Sequence, residues 1–455
     1  MSAEKTDGKS QMPLESAVSL LAETARKSSA DGWDLRAGAN ASEGVSVAGG
    51  RVDRLELQSD AGIGIRVFRD GRPGYASTGR LTRDAIERMF RDAWDHTFLS
   101  DVLRIDLPSP GEPPYRETGL YDPAVEALDL PRMEAFALEL DRRVRSLSSE
   151  IAEIPELDAE KSVSETFFLN SNGVSFSRRR SSVGAGLGVV FERDGQTKMG
   201  VGQLHRRGPE ALDAAYLADE AVARGSGLLG ARPVEGGEWP VLLDRRVATR
   251  LVSLYASAFF ALAVQKNQSR MAGKMGTAVA SELFTLRDDP HRDGLFGSRA
   301  FDGEGVPTRG TTVLERGKLV SWLHNLESAA REGVRSTGNG SRGLSGPAGT
   351  SFNNLIVDAG ATTREEMLKL RPRMLLVTKL EGGTGCSALS GELSVGAQGF
   401  LVEDGEIVRP VDQITISGDG FRMLRDVAAV GDSYDDPFAS RRVPDLLVSS
   451  LKVSG

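Results

Sequence analysis

The chain of 455 residues is long enough for two or three domains, each with its own hydrophobic core. With 40% hydrophobic and 26% charged residues, it has the composition of a soluble globular protein, which argues against extensive disorder. The formal net charge of −8 argues against nucleic acid as a main partner, because phosphate binding favours a basic surface. The basic run Arg178–Arg180 is therefore predicted to be a solvated strand end.

Cysteine usage and the apolar segments indicate the compartment. The single cysteine, Cys386, excludes an internal disulfide and fits a reducing environment. The start, MSAEKTDGKSQMPLE, lacks the apolar core of a secretory signal peptide. The longest apolar stretch, Leu251–Val264, is shorter than the roughly 20 residues of a membrane span. We expect a cytoplasmic protein without membrane contact.

The first predicted elements form an α+β domain over residues 15–105, after a flexible tail at residues 1–14. ESAVSLLAETARKSS has apolar residues at helical spacing. From Trp33 to about Thr78, apolar and polar residues alternate and RDGRPG supplies a turn, which predicts an antiparallel sheet with one wet face. TRDAIERMFRDAWDHTF predicts a second helix with Thr82 as its N-cap.

A Pro-rich connector at residues 106–119 leads to a central domain over residues 120–232. Its pattern predicts the helix PRMEAFALELDRRVRSL, a strand meander with turns at SNG and RDG, and the helix EALDAAYLADEAVARGSGLL. The C-terminal domain, residues 233–455, begins with the strand WPVLLD and a helix over residues 244–269. The predicted fold class is α+β: an N-terminal half with antiparallel sheets and flanking helices, and a C-terminal β-dominated half with one central buried helix.

The helix predicted at residues 244–269 decides how the chain can take part in catalysis. After Asp244 it contains no His, Cys, Asp or Glu, so it offers no metal ligand and no general base. One face is predicted to be apolar and buried: Leu251, Leu254, Tyr255, Ala258 and Leu262. Its composition is that of a core element.

The glycine run GNGSRG, residues 338–343, matches the dinucleotide-binding pattern G-x-G-x-x-G. That motif requires a strand before it and a helix N-terminus after it. Here the helix-like HNLESAAREGV precedes it, and LSGPAG follows, which cannot open a helix. A loop that lets another backbone approach closely is the favoured interpretation.

A metal site would need several ligand-type side chains brought together. The four histidines lie far apart in the sequence: His96, His205, His291 and His324. The segment RDDPHRDG holds four ligand-type residues in one short loop: Asp288, Asp289, His291 and Asp293. Because Asp and Pro are ordinary turn residues, a structural turn is favoured over a metal site.

Two further candidates for chemistry are a thiol and a pair of carboxylates. Cys386 in GGTGCSALSG has no base or cation near it in sequence, although His324 could approach it in space, and a structural cysteine is favoured. Asp302 and Glu304 could act as an acid–base pair. We favour the alternative that they hold a tight loop by accepting backbone N–H bonds.

Several segments, taken in order, resemble the TldD/PmbA family, once called modulators of DNA gyrase. They are LELQSDAGIGIRVFRDGRPGYAST, FLNSNGVSFS, WPVLLD, FDGEGVPTRGTTVLERGKLVSWLHN, STGNG, GFLVEDGEIVRPVDQITISGDGFRMLRDV and VGDSYDD. The resemblance runs from about residue 30 to residue 436. No single segment is decisive, but their order along the chain is specific.

The resemblance implies a two-subunit metalloprotease in which one subunit, TldD, carries H-E-x-x-x-H on a helix soon after the WPVLLD-type strand and binds zinc there. The second subunit, TldE or PmbA, has the same fold without that motif. Here the corresponding segment reads VATRLVSLYASAFF, and the tail DPFASRRVPDLLVSS lacks the late cysteine of the catalytic subunit. The chain therefore resembles the PmbA/TldE-type subunit. No catalytic residue, metal ligand or cofactor is carried over to it, and zinc is expected in the TldD-like partner.

By this resemblance the chain would be active only within a complex with a TldD-like, H-E-x-x-x-H-containing partner that degrades or processes unfolded peptides. The family is tied to leader-peptide removal and antitoxin turnover. A stand-alone, homo-oligomeric peptide-binding module, such as a homodimer, is the alternative. A third hypothesis is an independent hydrolase that uses Cys386 or the loop of residues 288–293.

Peptide contacts are predicted first in two loops. The candidate substrate-binding residues are Glu304, Thr337, Gly338, Asn339 and Gly340. Glycine at positions 338 and 340 permits a close approach of another backbone, although a structural turn explains these residues equally well. An extended peptide would be recognised mainly through its main chain at a strand edge, which implies weak sequence preference.

Overall fold

The computed structural model describes residues 11–111, 117, 119–382 and 385–455. The predicted tail lies outside the described residues up to residue 10, and parts of the Pro-rich connector, residues 112–116 and 118, lie outside them as well. At the end of the predicted tail, the backbone N–H of Met12 donates to the carbonyl oxygen of Leu81 at 2.8 Å, and a helix begins at Leu14.

The first half of the chain is a single antiparallel sheet with helices packed on it. Its strands are β1 (Gly32–Ala48), β2 (Arg51–Arg69), β3 (Arg72–Thr78), β4 (Ile151–Asn170), β5 (Ser175–Arg193) and β6 (Gln196–Arg206). Its helices are α1 (Leu14–Arg26), α2 (Arg83–His96), α3 (Pro123–Glu126), α4 (Leu130–Leu147) and α5 (Ala214–Ser226). The predicted antiparallel sheet and flanking helices are confirmed.

The sheet has the strand order β3-β2-β1-β4-β5-β6 and runs through both of the domains predicted before residue 232. Strand β1 joins the two parts, because it pairs with β4 from Asp34–Asn170 to Ser46–Asp158. Helices α1 and α2 cover one end of the sheet with a core that includes Leu21, Ile65 and Ile86. Helices α4 and α5 cover the other end with a second core.

Turn and cap residues place these elements as the sequence predicts. Asp70 and Gly71 both have positive φ between β2 and β3, and Asp194 and Gly195 do so between β5 and β6. That conformation belongs to the tight hairpin turn whose twist matches the flanking strands, and Asp-Gly adopts it readily. The Thr82 side chain accepts from the Ala85 N–H at 3.4 Å, so its prediction as the N-cap of α2 is confirmed.

The second half of the chain is β-dominated. Its strands are β7 (Gly237–Leu243), β8 (Leu286–Asp288), β9 (Thr311–Glu315), β10 (Lys318–Leu319), β11 (Gly340–Ser341), β12 (Gly349–Thr350), β13 (Leu355–Val357), β14 (Arg373–Glu381), β15 (Glu392–Glu403), β16 (Glu406–Asp419), β17 (Val427–Val430), β18 (Arg441–Arg442) and β19 (Leu446–Ser454). Its helices are α6 (Arg245–Ala256), α7 (Ala261–Gln265), α8 (Leu326–Glu332), α9 (Arg364–Leu368) and α10 (Gly420–Arg425). Among the described residues, no helix is long and apolar enough to cross a bilayer.

A closed barrel forms the centre of this half. Strands β16, β15, β14, β7 and β19 follow one another in the sheet, and β16 also pairs with β19, which closes the ring. The barrel strands bury both faces: Val241 and Leu243 of β7 pack with α6 in the main core, whereas Leu242 packs with Met367 of α9. A smaller sheet in the order β10-β9-β8-β13-β18 lies beside the barrel.

The helix predicted at residues 244–269 is shorter and broken. Helix α6 ends at Ala256, a 3₁₀ turn follows at Ser257–Phe259, and Phe260 is extended (φ −82°, ψ 124°) before the short α7. The predicted apolar face is therefore partly wrong: Leu254 is 37% exposed. The buried face of α6 consists of Val247, Ala248, Leu251, Val252, Tyr255 and Ala256.

Candidate functional site

Helix α6 begins in a network of charged side chains that fixes its position after strand β7. The Asp244 side chain caps the helix by accepting from the Arg246 N–H at 3.0 Å. Asp445, just before β19, accepts from the Arg245 N–H at 2.7 Å. Arg364 Nη2 lies 2.5 Å from both Asp244 Oδ2 and Asp445 Oδ1, so one guanidinium ties the helix start to the barrel.

The polar face of α6 lines a cavity of about 440 Å³, which we call the α6 cavity. Helix α6 contributes Arg246, Thr249, Arg250 and Ser253, which lie at helical spacing on one face. The other walls come from residues 203–206 of β6, from Tyr216 of α5, and from the C-terminal segment: Tyr434, Asp435, Asp436, Ala439, Arg441, Arg442 and Val443. The cavity therefore lies between the N-terminal sheet and the C-terminal half.

Two of the arginines that line the cavity are neutralised by carboxylates. Arg246 Nε lies 2.5 Å from Asp435 Oδ2, and its Nη2 lies 2.5 Å from Glu220 Oε1. Arg206 Nη1 lies 3.2 Å from Asp436. Burial raises the pKa of Asp435, while the nearby Arg246 acts to lower it.

The other three arginines of the cavity have no carboxylate partner among the described residues. Arg250 donates to the carbonyl oxygens of Leu380 and Gly382. The guanidinium carbon of Arg442 lies 4.1 Å from the centre of the Tyr434 ring, a cation–π contact. Arg441 is exposed and forms no ion pair with a described residue. The cavity thus carries a local excess of positive charge in a protein whose net charge is −8.

A second buried polar group joins the N-terminal sheet to the C-terminal loops. We call Asp34, Arg66, Glu304 and Arg342 the junction cluster. Arg66 Nη2 lies 2.5 Å from Asp34 Oδ2, and its Nη1 lies 3.0 Å from Glu304 Oε1. Arg342 pairs with the other oxygen of Asp34, and all four side chains are buried. Each charge is compensated by an opposite charge from another element.

Asp302 and Glu304 hold the loop in which they lie, as the favoured interpretation predicts. Asp302 Oδ1 accepts from the N–H groups of Glu304 and Val306 at 2.8 and 3.0 Å, and its Oδ2 accepts from that of Gly340 at 2.7 Å. Glu304 Oε2 accepts from the Leu326 N–H at 2.9 Å. Burial, and then the neighbouring Glu304 carboxylate, raise the pKa of Asp302 to about 7.

Asp288 is the centre of a third buried network, which includes Asn339. Its Oδ2 accepts from the side-chain amides of Asn339 and Asn353 at 2.7 and 2.8 Å. Its Oδ1 accepts from the backbone N–H groups of Asn353 and Asn354 at 2.7 and 3.0 Å. Burial raises the pKa of Asp288 to about 6, although these four donors act to lower it. Asp288 therefore organises two loops through its carboxylate.

The predicted peptide-contact residues lie together in this buried region. Thr337 Oγ1 donates to Asn339 Oδ1 at 2.6 Å. A Cβ at Gly338, where φ is +75°, would lie 2.6 Å from Thr308 Cα, and one at Gly340 would lie 2.7 Å from Glu304 Oε2. Gly338 thus allows the close approach of another backbone that the sequence predicts, whereas Gly340 makes room for the side chains of Glu304 and Asp302. Direct contact of Glu304, Thr337, Gly338, Asn339 or Gly340 with a peptide stays a prediction.

The basic run on β5 is mostly not solvated, so that prediction is wrong for two of its three arginines. Arg178 lies 2.5 Å from Glu117, and Arg180 donates to the carbonyl oxygens of Phe296 and Ser298 at 3.1 and 2.5 Å. Side chains two apart on a strand share a face, and here that face meets the C-terminal loops. Arg179 points to the other face and is 47% exposed.

The remaining candidates for chemistry have ordinary structural contacts. Cys386 is half-buried, with its Sγ 3.7 Å from the Ser394 carbonyl oxygen, and residues 383–384 of its segment lie outside the described part. His324 Nε2 lies 3.8 Å from Glu332. In the loop of residues 288–293, Asp289 accepts from the His291 N–H at 3.1 Å and pairs with Arg292 at 2.6 Å, as expected of a turn.

Three protein-family models match most of the chain. Models for the PmbA/TldA metallopeptidase domain 1, central domain and C-terminal domain match residues 33–96, 123–229 and 236–455 in that order. The chain belongs to the PmbA/TldD metallopeptidase family. The family resemblance that the sequence predicts is confirmed.

Relatives within the PmbA/TldD family match over nearly the whole chain. Metalloprotease PmbA of Escherichia coli O157:H7 is 28% identical over 466 residues, which cover 97% of this chain and 96% of the relative. A metalloprotease TldD homologue of Buchnera aphidicola is 25% identical over 403 residues, covering 82% and 80%. The family therefore includes relatives with either name, PmbA or TldD.

Solved structures have the same fold. A protein of Thermotoga maritima described as a modulator of DNA gyrase has a TM-score of 0.88 and 27% identity, with 97% of this chain and all of that chain covered. TldE from Thermococcus kodakarensis has a TM-score of 0.86 and 23% identity, covering 97% and 99%. At that identity the second likeness shows the fold alone.

The side chains on the cavity face of α6 do not fit the zinc that the PmbA/TldD family implies. Zinc in proteins is held by His, Cys and carboxylate side chains. The cavity face of α6 offers two guanidinium groups and two hydroxyls, and a guanidinium does not lose its proton in proteins. Within the described ranges, no group of three or more His, Cys, Asp or Glu residues could hold a metal ion.

Several members of these sites are absent from the sequence predictions. The polar residues Arg246, Thr249, Arg250 and Ser253 lie at helical spacing, but the apolar pattern predicts only the buried face of that helix. Asp34 and Arg66 lie on the strand face that is predicted to be exposed to solvent. That prediction is wrong near residues 62–68, where both faces of the strand are buried. Their burial depends on loops more than 200 residues away in the sequence.

Replacing Arg66 tests whether the junction cluster holds the two halves together. We expect Arg66→Ala to lower the free energy of unfolding by about 3–5 kcal/mol, because it leaves the buried carboxylates of Asp34 and Glu304 without their partner. Arg54→Ala on the same strand is the control, since its ion pair with Glu56 is exposed and contributes about 1 kcal/mol or less. Urea unfolding gives both values, and equal destabilisation would contradict the role of the cluster.

The raised pKa of Asp302 predicts a dependence of stability on pH. The carboxyl titrates near its ordinary value of 3.8 in the unfolded chain and at about 7 in the folded chain, so the folded state binds the proton more tightly. Its contribution to stability is present below about pH 4 and is lost as the pH rises to about 7. We expect the stability of the wild type relative to Asp302→Asn to fall across this window and then level off. If the stability difference between the wild type and Asp302→Asn stays constant or rises between pH 4 and 7, burial does not raise the pKa of Asp302.

Proposed function

We propose that this chain is the non-catalytic, TldE/PmbA-like subunit of a TldD/TldE-type zinc metalloprotease complex that degrades or processes unfolded peptides. The partner in this proposal is a TldD-like subunit that supplies H-E-x-x-x-H and the zinc. Leader-peptide removal and antitoxin turnover are the kinds of reaction in which such a complex would act.

One observation carries the proposal. Helix α6 directly follows strand β7, where the family resemblance expects the zinc-binding motif, and it turns arginine and hydroxyl side chains toward the adjoining cavity. Arg250, which has no carboxylate partner among the described residues, places positive charge on this face of the helix, which disfavours a cation. The fold and the cavity are thus consistent with a subunit that has kept the architecture but not the metal chemistry.

The relatives support the metalloprotease context and a partner of TldD type. The full-length match to metalloprotease PmbA and the match to a TldD homologue place two subunit names in one family. A chain without metal ligands on α6 would then contribute to catalysis by completing a peptide channel or by stabilising its partner. Unfolded peptides fit this role because a strand edge recognises main chain with little sequence preference.

Cleavage of an unfolded test peptide, followed by mass spectrometry, tests the proposal. The purified chain is assayed alone, then mixed with its H-E-x-x-x-H relative, each with and without a zinc chelator. We expect cleavage only in the mixture and its loss with the chelator, because the metal chemistry belongs to the partner. A mixture in which the motif's Glu in the partner is replaced by Gln serves as the inactive control.

Two outcomes contradict the proposal. Chelator-sensitive cleavage by the purified chain alone, with contaminating protease excluded, would mean that this chain builds its own metal site. If the relative cleaves the peptide equally well with and without this chain, and the two do not associate, the chain is not a subunit of that protease. Peptide binding without association would then favour the stand-alone peptide-binding module.

A further inference from the structure

The α6 cavity has the features of an anion-binding site. Arg250, Arg441 and Arg442 line it without a carboxylate partner among the described residues. Arg442 Nε and Ser253 Oγ are buried and form no hydrogen bond with any described residue. Buried polar atoms are nearly always hydrogen-bonded in proteins. An anionic ligand in the cavity would compensate the positive charge of these arginines.

The α6 cavity lies between the edges of two sheets, which indicates the kind of molecule to which the anionic group belongs. Strand β6 is the last strand of the N-terminal sheet, and β18 is the last strand of the smaller C-terminal sheet. Residues 203–206 of β6 and both residues of β18, Arg441 and Arg442, line the cavity. An edge strand presents backbone N–H and C=O groups that an extended peptide can pair with. A small inorganic anion would make no use of these edges.

The walls of the cavity also suit a peptide. Leu204, Tyr216, Tyr434 and Val443 contribute apolar or aromatic surface beside the arginines. Guanidinium groups bind carboxylates through two parallel N–H···O bonds, which gives direction as well as charge. We propose that the α6 cavity binds a carboxylate of an extended peptide through Arg250, Arg441 and Arg442, with the peptide main chain running along the edges of β6 and β18.

This inference rests on the proposed function for the peptide nature of the ligand, and it deepens that function. It assigns to the subunit without metal ligands the task of holding the anionic group of the substrate. The carboxylate has two sources in a peptide, the C-terminus and an acidic side chain. Because both carboxylates offer the same chemistry to the arginines, the test uses peptides that carry only one of the two.

The test measures binding to the purified chain alone by fluorescence anisotropy, so it does not depend on a partner or on cleavage. The probe is an N-terminally labelled, unstructured peptide of about ten residues without Asp or Glu. It is made with a free C-terminal carboxylate, with a C-terminal amide, and with an amide plus one internal Glu. We expect the plain amide to bind at least about tenfold more weakly than a carboxylate-bearing form, as the loss of charge-assisted hydrogen bonds implies.

A double variant tests the residues. Arg441→Gln with Arg442→Gln should remove the preference for the carboxylate, whereas Arg26→Gln with Arg51→Gln, two exposed arginines of the N-terminal sheet region, should retain it. Both double variants remove two positive charges, so a general electrostatic effect would weaken peptide binding equally in the two. Tighter binding of the free C-terminus identifies that group as the ligand, and recovery by the internal Glu identifies the side chain.

The proposal is overturned by equal binding of the acid and amide peptides, by no binding of either, or by equal effects of the two double variants. Competition by inorganic phosphate at the same concentration as the acid peptide would also overturn it, since a peptide site should prefer the peptide. If the cavity variants fail to fold, as judged by circular dichroism, binding of the acid and amide peptides to the wild type still tests whether the chain prefers a carboxylate. Failure here leaves the cleavage result of the mixed subunits unaffected.

Discussion

The buried ion pairs of Arg66 hold the N-terminal sheet and the C-terminal loops in one arrangement. Asp34 and Glu304 come from different halves of the chain, and one guanidinium lies within 3.0 Å of both. Burying charges costs free energy, which close pairing offsets, and removing one partner would leave an uncompensated buried charge. The α6 cavity depends on that arrangement, because its walls come from β6 and α5 on one side and from α6 and β18 on the other.

Helix α6 combines structural and functional roles on opposite faces. Its apolar face, with Leu251 and Tyr255, packs into the core beside the barrel. Its polar face carries Arg246 and Arg250 into the cavity. In the proposed TldD-like partner this position would hold the metal and its base. Here Arg250 offers positive charge that no described carboxylate pairs with, which suits binding of an anionic group and does not suit binding of a cation.

Local features were predictable from the sequence, whereas the sites depend on distant contacts. Thr82 caps its helix and Asp194-Gly195 turns its hairpin because neighbouring residues alone determine those conformations. The break at Phe260 was not predicted, since apolar periodicity continues through it. The burial of Arg66 and Arg180 was also missed, because a charged residue on an alternating strand predicts a wet face unless a remote loop covers it. The prediction that Glu304 accepts a backbone N–H group is confirmed, but its ion pair with Arg66 could not be predicted from the sequence.

In the proposed function, the α6 cavity has no metal chemistry of its own. The most direct measurement is the zinc content of the purified chain by inductively coupled plasma mass spectrometry, after zinc is supplied in excess and loosely bound metal is removed by gel filtration. We expect far less than one zinc per chain under conditions in which the H-E-x-x-x-H relative retains a full equivalent. One tightly held zinc per chain, released by a chelator and lost when residues of the α6 cavity are replaced, would contradict it.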